Sequence, residues 1–230
     1  MNTLIYGVLK LTFDKLRSLY DSSDEQKYVS AQTISRLVFP KYRENGVRVS
    51  EQELRFTFID AFNQYCNKEE INDTFYSVET PTEDKYTFSE NRTKIDPIIG
   101  KGQSGNFDLT LLDGKYSKES LIEFKAGYVT EQAFKEVLAK LANPQEIGVT
   151  RLVVHMVEDT LSDTCRNNLR KATIWLYEKS KLDSKANVIY KCVSLTGAMS
   201  PICYTIEDIY KMDEKGEIQD TQSLAEILSM

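Results

Sequence analysis

Histidine occurs once in the 230 residues, at position 155. That scarcity excludes two-histidine metalloprotease helices, multi-histidine zinc sites and nucleases built on paired histidines. His155 lies in RLVVHMVED, a run that reads as a buried strand, so a structural histidine satisfied by local hydrogen bonds is expected. Long apolar runs are also missing. No stretch of about eighteen uncharged apolar residues occurs, so no membrane partner is expected. The segment MNTLIYGVLKLTFDKL lacks the apolar core and small-residue cleavage site of a secretory leader. Four scattered cysteines (Cys66, Cys165, Cys192, Cys203) form no CxxC motif, which predicts reduced thiols and a cytoplasmic setting. A basic surplus is absent too. With 29 Lys and Arg against 35 Asp and Glu the formal net charge is −6, so the chain has no overall basic footprint for nucleic acid.

What remains is ordinary globular material. Hydrophobic residues make up 41% and charged residues 28%, and the length suits one decorated domain or two small ones. The charge is unevenly spread. Between Arg166 and Lys191 seven basic residues face two acids, whereas from Cys192 onward seven acids face two lysines. A solvated helix face and an acidic end explain this; a locally positive groove is the other reading, because a phosphate responds to the local field and not to the sum.

Leu4, Val8, Leu11, Leu16 and Leu19 have helical spacing, and a short helix is expected over Ala31–Phe39, stopped by Pro40. KYRENG reads as a loop. Ser50 caps the next helix, with Glu53 three residues on completing a capping box, and Leu54, Phe58, Ala61, Phe62 and Tyr65 form its apolar stripe. After residue 70 the period becomes two. FYSVETPT and KYTFS read as strands around a turn, IIGKGQSG as irregular glycine-rich chain, and NFDLTLLD and SLIEFKAG as strands joined at Asp113–Gly114. A helix over 129–142, capped by Thr130 and stopped at Asn143–Pro144, precedes the strand RLVVHMVED, the helix TCRNNLRKATIWLYEKSK and the strand ANVIYKCVSL. The expectation is an α/β fold: an N-terminal helical extension over 1–49, then one compact domain over 50–230.

The chemistry is expected at Asp108, Glu123 and Lys125. Strand alternation sets Leu121, Glu123 and Lys125 on one face and Ile122, Phe124 and Ala126 on the other. The same alternation turns Phe107, Leu109 and Leu111 toward the core and Asp108 away. If the two strands pair through the Asp113–Gly114 turn, Asp108 falls beside Glu123 or one position along. Two converging carboxylates raise one another's pKa unless a cation neutralises them. Oxygen ligands without a usable histidine suit Mg²⁺ or Mn²⁺ and exclude a typical zinc site. An ordinary charge pair on an exposed strand edge is the alternative.

The arrangement resembles the PD-(D/E)xK nuclease superfamily, the restriction-endonuclease-like fold. The matching residues are Asp108 in GNFDLTLL and Glu123-Phe124-Lys125 in LIEFKAG, in an order of helix, three strands, helix and strand from about residue 50 to 157. The residue before Asp108 is Phe107 where the motif has proline. The resemblance implies a mixed central sheet flanked by helices. It implies a Mg²⁺-dependent DNA nuclease, an endonuclease of restriction, defence or repair type, leaving a 5′-phosphate. Asp108, Glu123 and the Phe124 carbonyl would hold metal, Lys125 would position the attacking water, and Glu51 on the first core helix would assist. RNA as substrate and a homodimer are compatible with it. The second function carried forward is a catalytically inactive nuclease-like binding or scaffold subunit of a nucleic-acid-processing complex, which the acidic balance favours.

Weaker candidates surround this set. GKGQSG (100–105) resembles a phosphate loop but lacks GxxxxGK[ST] spacing before a helix. Glu79 is a possible extra metal ligand, Gln132 a possible substrate or bridging contact, and Arg55 and Lys41–Arg48 possible phosphate contacts. Trp175 with Leu169, Ile174 and Tyr177 reads as core.

Overall fold

The computed structural model describes residues 3–22, 37–40, 47–180, 182 and 187–212. Twelve elements follow in chain order: α1 (Thr3–Ser22), α2 (Glu51–Lys68), β1 (Phe75–Glu90), β2 (Thr93–Ile99), β3 (Gln103–Leu112), β4 (Lys118–Ala126), α3 (Glu131–Leu141), β5 (Thr150–Val157), α4 (Asp163–Glu178), β6 (Val188–Ser194), β7 (Ile202–Thr205) and α5 (Ile206–Lys211). The strands form one mixed sheet in the order β2-β1-β3-β4-β5-β6-β7. β4, β5 and β6 run parallel to one another, and the remaining pairs are antiparallel. The fold is therefore α/β with helices on both faces. No helix among the described residues is long and apolar enough to cross a membrane.

Alternation along β4 and β5 divides the core in two. Ile122, Phe124, Leu152, Val154 and Met156 pack against α1 and α2. Leu121 and Val153 face the opposite way, toward α3, α4 and α5. α1 shares its cluster with α2 and the sheet. Phe58 of α2 packs on Phe124 with ring centroids 5.5 Å apart, which fixes α2 above the middle of the Glu-Phe-Lys triplet. Burying side chains of this size contributes roughly 1.5–3 kcal/mol each.

The helix boundaries follow local chemistry. Ser50 donates its backbone N–H to Glu53 at 3.0 Å, the expected capping-box partner. The Thr130 hydroxyl accepts from Ala133 N at 3.2 Å, and α3 ends before Asn143–Pro144. All four cysteines are free and buried, and Trp175 lies in the core.

Several local expectations are corrected. FYSVETPT and KYTFS belong to one strand, β1, whose pairing with β3 slips between Pro81 and Lys85. The proline removes a ladder donor, and the chain passes it with a bulge instead of a turn. The glycine-rich stretch is mostly strand: β2 ends at Ile99, β3 starts at Gln103, and Gly100 and Gly102 take φ of +79° and +106°. A Cβ on Gly102 would stand 2.4 Å from the Tyr86 carbonyl oxygen, so glycine is required there. Four strands therefore lie between α2 and α3, one more than the expected helix, three-strand, helix order has: the two segments around Pro81 merge into β1, and β2 is added. β2 is the sheet's edge, where Pro97 is tolerated. Leu37–Pro40 are not helical. Residues 31–36 of the expected short helix, the KYRENG loop and the acidic stretch beyond Met212 lie outside the described residues.

Candidate metal and phosphodiester site

Asp108 is held from two directions. Its Oδ2 accepts the Phe124 backbone N–H at 2.7 Å, and its Oδ1 accepts from the Arg55 guanidinium at 2.7 Å. The paired register of β3 and β4 runs from Leu109↔Ile122 to Leu112↔Lys118. Just past its end, the aspartate side chain does for Phe124 what a strand carbonyl does elsewhere. This joins Asp108 to the centre of the Glu123-Phe124-Lys125 triplet.

The faces differ from simple alternation. Leu109 and Leu111 pack on the α1–α2 side, whereas Phe107 packs with α3 and α4. The cause lies opposite, on β1, where Glu79 adopts φ of +50° between the pairs Val78↔Leu109 and Thr80↔Phe107. A left-handed residue twists the ladder locally and re-aims its neighbours. Asp108 consequently takes its cation from α2. Glu123 takes Lys140 from α3, in a buried ion pair.

Lys125 donates to the Phe124 carbonyl at 2.7 Å and pairs with Glu51 Oε1 at 3.3 Å. Arg55 bridges Asp108 and Glu79, the latter at 2.6 Å, and its buried Nε has no hydrogen-bond partner among the described residues. Lys140 also donates to the Asn106 carbonyl at 2.7 Å, and its ammonium lies 5.8 Å from the Phe107 ring centroid. Four carboxyl groups (Glu51, Glu79, Asp108, Glu123) thus meet three cations (Arg55, Lys125, Lys140). Exposure grades across the set: the Glu123 side chain is 3% exposed, Asp108 16% and Glu51 40%.

Burial pushes the Glu123 carboxyl up to about 7. Lys140 and Lys125 oppose that rise, and the nearby Asp108 charge adds to it. For Arg55, burial opposes the charge, but Glu79, Asp108 and Glu51 outweigh it and hold the guanidinium above its ordinary value. Among the described residues no three His, Cys, Asp or Glu side chains form a ready-made metal cluster.

The other candidates find different places. Glu79 and Arg55, which the sequence offered as an extra metal ligand and a phosphate contact, pair with each other, and Arg55 also holds Asp108. The signal that could have linked them is β1 pairing with β3, which sets Glu79 opposite Asp108. Gln132 instead donates to the Ile95 carbonyl at 2.6 Å, tying α3 to the edge strand. GKGQSG forms a strand connection, with no helix behind it. Lys140, the cation of Glu123, was missed because an α3 lysine is ordinarily solvated.

His155 is fully buried, beside Lys125 in the β4–β5 register. Its Nε2 lies 2.8 Å from the Gly127 carbonyl and its Nδ1 2.6 Å from the Tyr190 hydroxyl. A carbonyl only accepts, so Nε2 carries the proton and Nδ1 accepts from Tyr190. Burial brings the imidazole pKa down to about 4. The unfolded chain binds this proton near pH 6.5, so the group's stability is present above 6.5 and lost as pH falls toward 4. Glu123 works in the opposite sense: its folded pKa is raised, so its stability is present below pH 4.5 and lost as pH rises through 7. The histidine's part is therefore read as a difference. Between pH 7 and 5 the wild type should lose about 2 kcal/mol relative to His155→Gln in urea titrations. Parallel pH profiles for the two chains would remove the assignment.

Comparison with family models, curated proteins and solved structures gives no match for this chain.

Proposed function

We propose that this chain is a metal-dependent phosphodiesterase acting on DNA, built on a restriction-endonuclease-like core of the PD-(D/E)xK type. The observation that carries the reading is the hydrogen bond from Phe124 N–H to Asp108, which couples the aspartate to the Glu-x-Lys triplet on the next strand. Element order adds to it. With the edge strand β2 set aside, α2, β1, β3, β4, α3 and β5 follow the helix, three-strand, helix, strand order of that family.

The donor set fits a hard cation. Two carboxylates and a peptide carbonyl offer only oxygen, and Mg²⁺ typically takes one or two carboxylates with water and substrate phosphate completing its shell. Asp108, Glu123 and the Phe124 carbonyl would hold it. When bound, the ion supplies charge neutralisation and lowers the pKa of coordinated water. The protein's own residues do the rest. Lys125, freed from the Phe124 carbonyl, orients the attacking water and meets the negative charge growing on the phosphorane. Glu51 holds that ammonium at the mouth of the site. Arg55 and Lys140 balance the carboxylates until a dication does so.

The test is incubation of supercoiled plasmid, single-stranded DNA and RNA with Mg²⁺, with Mn²⁺ and with EDTA. Cleavage of DNA in either metal and not in EDTA is expected. One observation favours a second reading, an inactive nuclease-like binding subunit: the Glu123 carboxyl is enclosed and already neutralised by Lys140. That reading predicts no cleavage of any substrate and no metal-induced rise in melting temperature. An active site should show a rise equivalent to about 2.7 kcal/mol at a hundredfold excess of metal over Kd.

A further inference from the structure

A cavity of about 390 Å³ opens between α1 and the β6–β7 edge of the sheet. At its floor is Lys191, only 8% exposed. Lysine is almost never buried this deeply unless an acid pairs with it, because desolvating an ammonium costs several kcal/mol. Among the described residues Lys191 has no ion pair and no hydrogen bond. Its ammonium instead lies 5.0 Å from the Tyr6 ring centroid and 5.8 Å from that of Phe13. Contacts of this kind return less than the desolvation they accompany. Burial accordingly lowers the lysine's pKa, with the Cys203 thiol opposite it on β7 acting the other way.

The surroundings add positive charge. Lys10 and Arg17 line the same cavity, and Asp14 is the single acid among the described residues that line it, a net positive lining in a chain of net charge −6. Arg17 uses its Nε on the Ser194 carbonyl at 3.1 Å, which orients the rest of its fork. Phe13, Val193 and Pro201 supply an apolar wall. The volume lies within the range of small-molecule sites, and the mix of apolar wall and few convergent charges matches their usual make-up.

We propose that this cavity binds a small molecule bearing a phosphate or carboxylate group, with Lys191 as the central charge and Arg17 and Lys10 at the mouth. The site is separate from the phosphodiester centre. Phe124, Val154, Lys191 and Cys203 form one row across four adjacent strands, so Lys191 stands two strands, roughly 10 Å, from Phe124.

Inorganic phosphate and benzoate, titrated in EDTA and followed by calorimetry and thermal melting, are the probes. At least one should bind the wild type and raise its melting temperature. Lys191→Met keeps the apolar stem but removes the charge, and should weaken binding roughly tenfold or more. Lys191→Arg should keep most of it, and Asp108→Asn all of it. No binding of either anion, or equal binding by Lys191→Met, overturns the proposal. Should Lys191→Met fail to fold, the wild type still decides. A bound anion should slow maleimide labelling of Cys203, mapped by mass spectrometry, and an unchanged rate at saturating anion overturns the site.

Discussion

Asp108→Asn should lower Mg²⁺-dependent plasmid cleavage by on the order of 10²–10³, the scale expected when one preorganised charge is removed from a transition state. The amide oxygen can still accept the Phe124 N–H, so the β3–β4 junction keeps its geometry while the charge is lost. Stability should fall as well, because the Arg55–Asp108 pair is largely enclosed and the new amide turns an N–H toward the guanidinium, so each variant's metal response is read against its own metal-free melting temperature. Lys125→Met should be as damaging to turnover by a different route. It removes the ammonium that faces Glu51 and the Phe124 carbonyl, leaving the carboxylates and their affinity for metal in place. The pair of variants therefore separates roles. Asp108→Asn should weaken the metal-induced thermal shift, and Lys125→Met should preserve it. Wild-type cleavage by both variants would reject the assignment.

Arg55 offers a gentler probe of the same region. Arg55→Gln releases Asp108 and Glu79 from one guanidinium, and with the competing cation gone the affinity for Mg²⁺ should rise. A drop in Mg²⁺ affinity on calorimetric titration would mean that Arg55 organises Asp108 instead of competing for it.

α2 and α3 were legible because each carries its own punctuation: the Ser50–Glu53 box, the Thr130 cap and the Asn143–Pro144 stop are local chemistry that tertiary contacts did not override. The last helix was legible in principle as well. Thr205 with Asp208 three residues on is another capping box, but a six-residue helix offers too few turns for a periodic stripe. β2 escaped notice for a physical reason. Its hairpin turns at Asn91–Arg92 with φ of +48° and +66°, a turn in which glycine ordinarily marks the second position. The candidate site was legible as residue types on neighbouring strands, because the turn at Asp113–Gly114 pairs the strand of Asp108 with that of the triplet. Which cation each acid takes was not. That depends on the left-handed Glu79, which splits Phe107 from Leu109 between the two sides of the sheet, and on the depth to which Lys140 reaches from α3. Strain at one residue and the reach of one long side chain are tertiary outcomes, invisible to a pattern of polar and apolar positions.

Lys140→Met is expected to give the largest loss of stability, because it leaves the Glu123 carboxyl buried without its cation. Removing one member of a buried pair costs roughly 3–5 kcal/mol, which for a chain of this size corresponds to a fall in melting temperature of roughly 6–20 °C. The loss should depend on pH with a definite sign. Glu123, whose carboxyl burial already holds near 7, can escape the penalty by keeping its proton in the folded state. The variant's deficit should therefore shrink at pH 5 and widen toward pH 8, where ionisation in the unfolded chain pulls the equilibrium. Glu123→Gln combined with Lys140→Met should recover most of the stability, since a neutral amide in the same volume carries no charge to desolvate. The single variant also bears on function. If Lys140 stands where a dication belongs, Mg²⁺ should raise the melting temperature of Lys140→Met by more than it raises that of the wild type. A variant that is destabilised as described yet indifferent to Mg²⁺ and Mn²⁺ would make Glu123–Lys140 a purely structural pair, and would leave the inactive binding subunit as the reading of this fold.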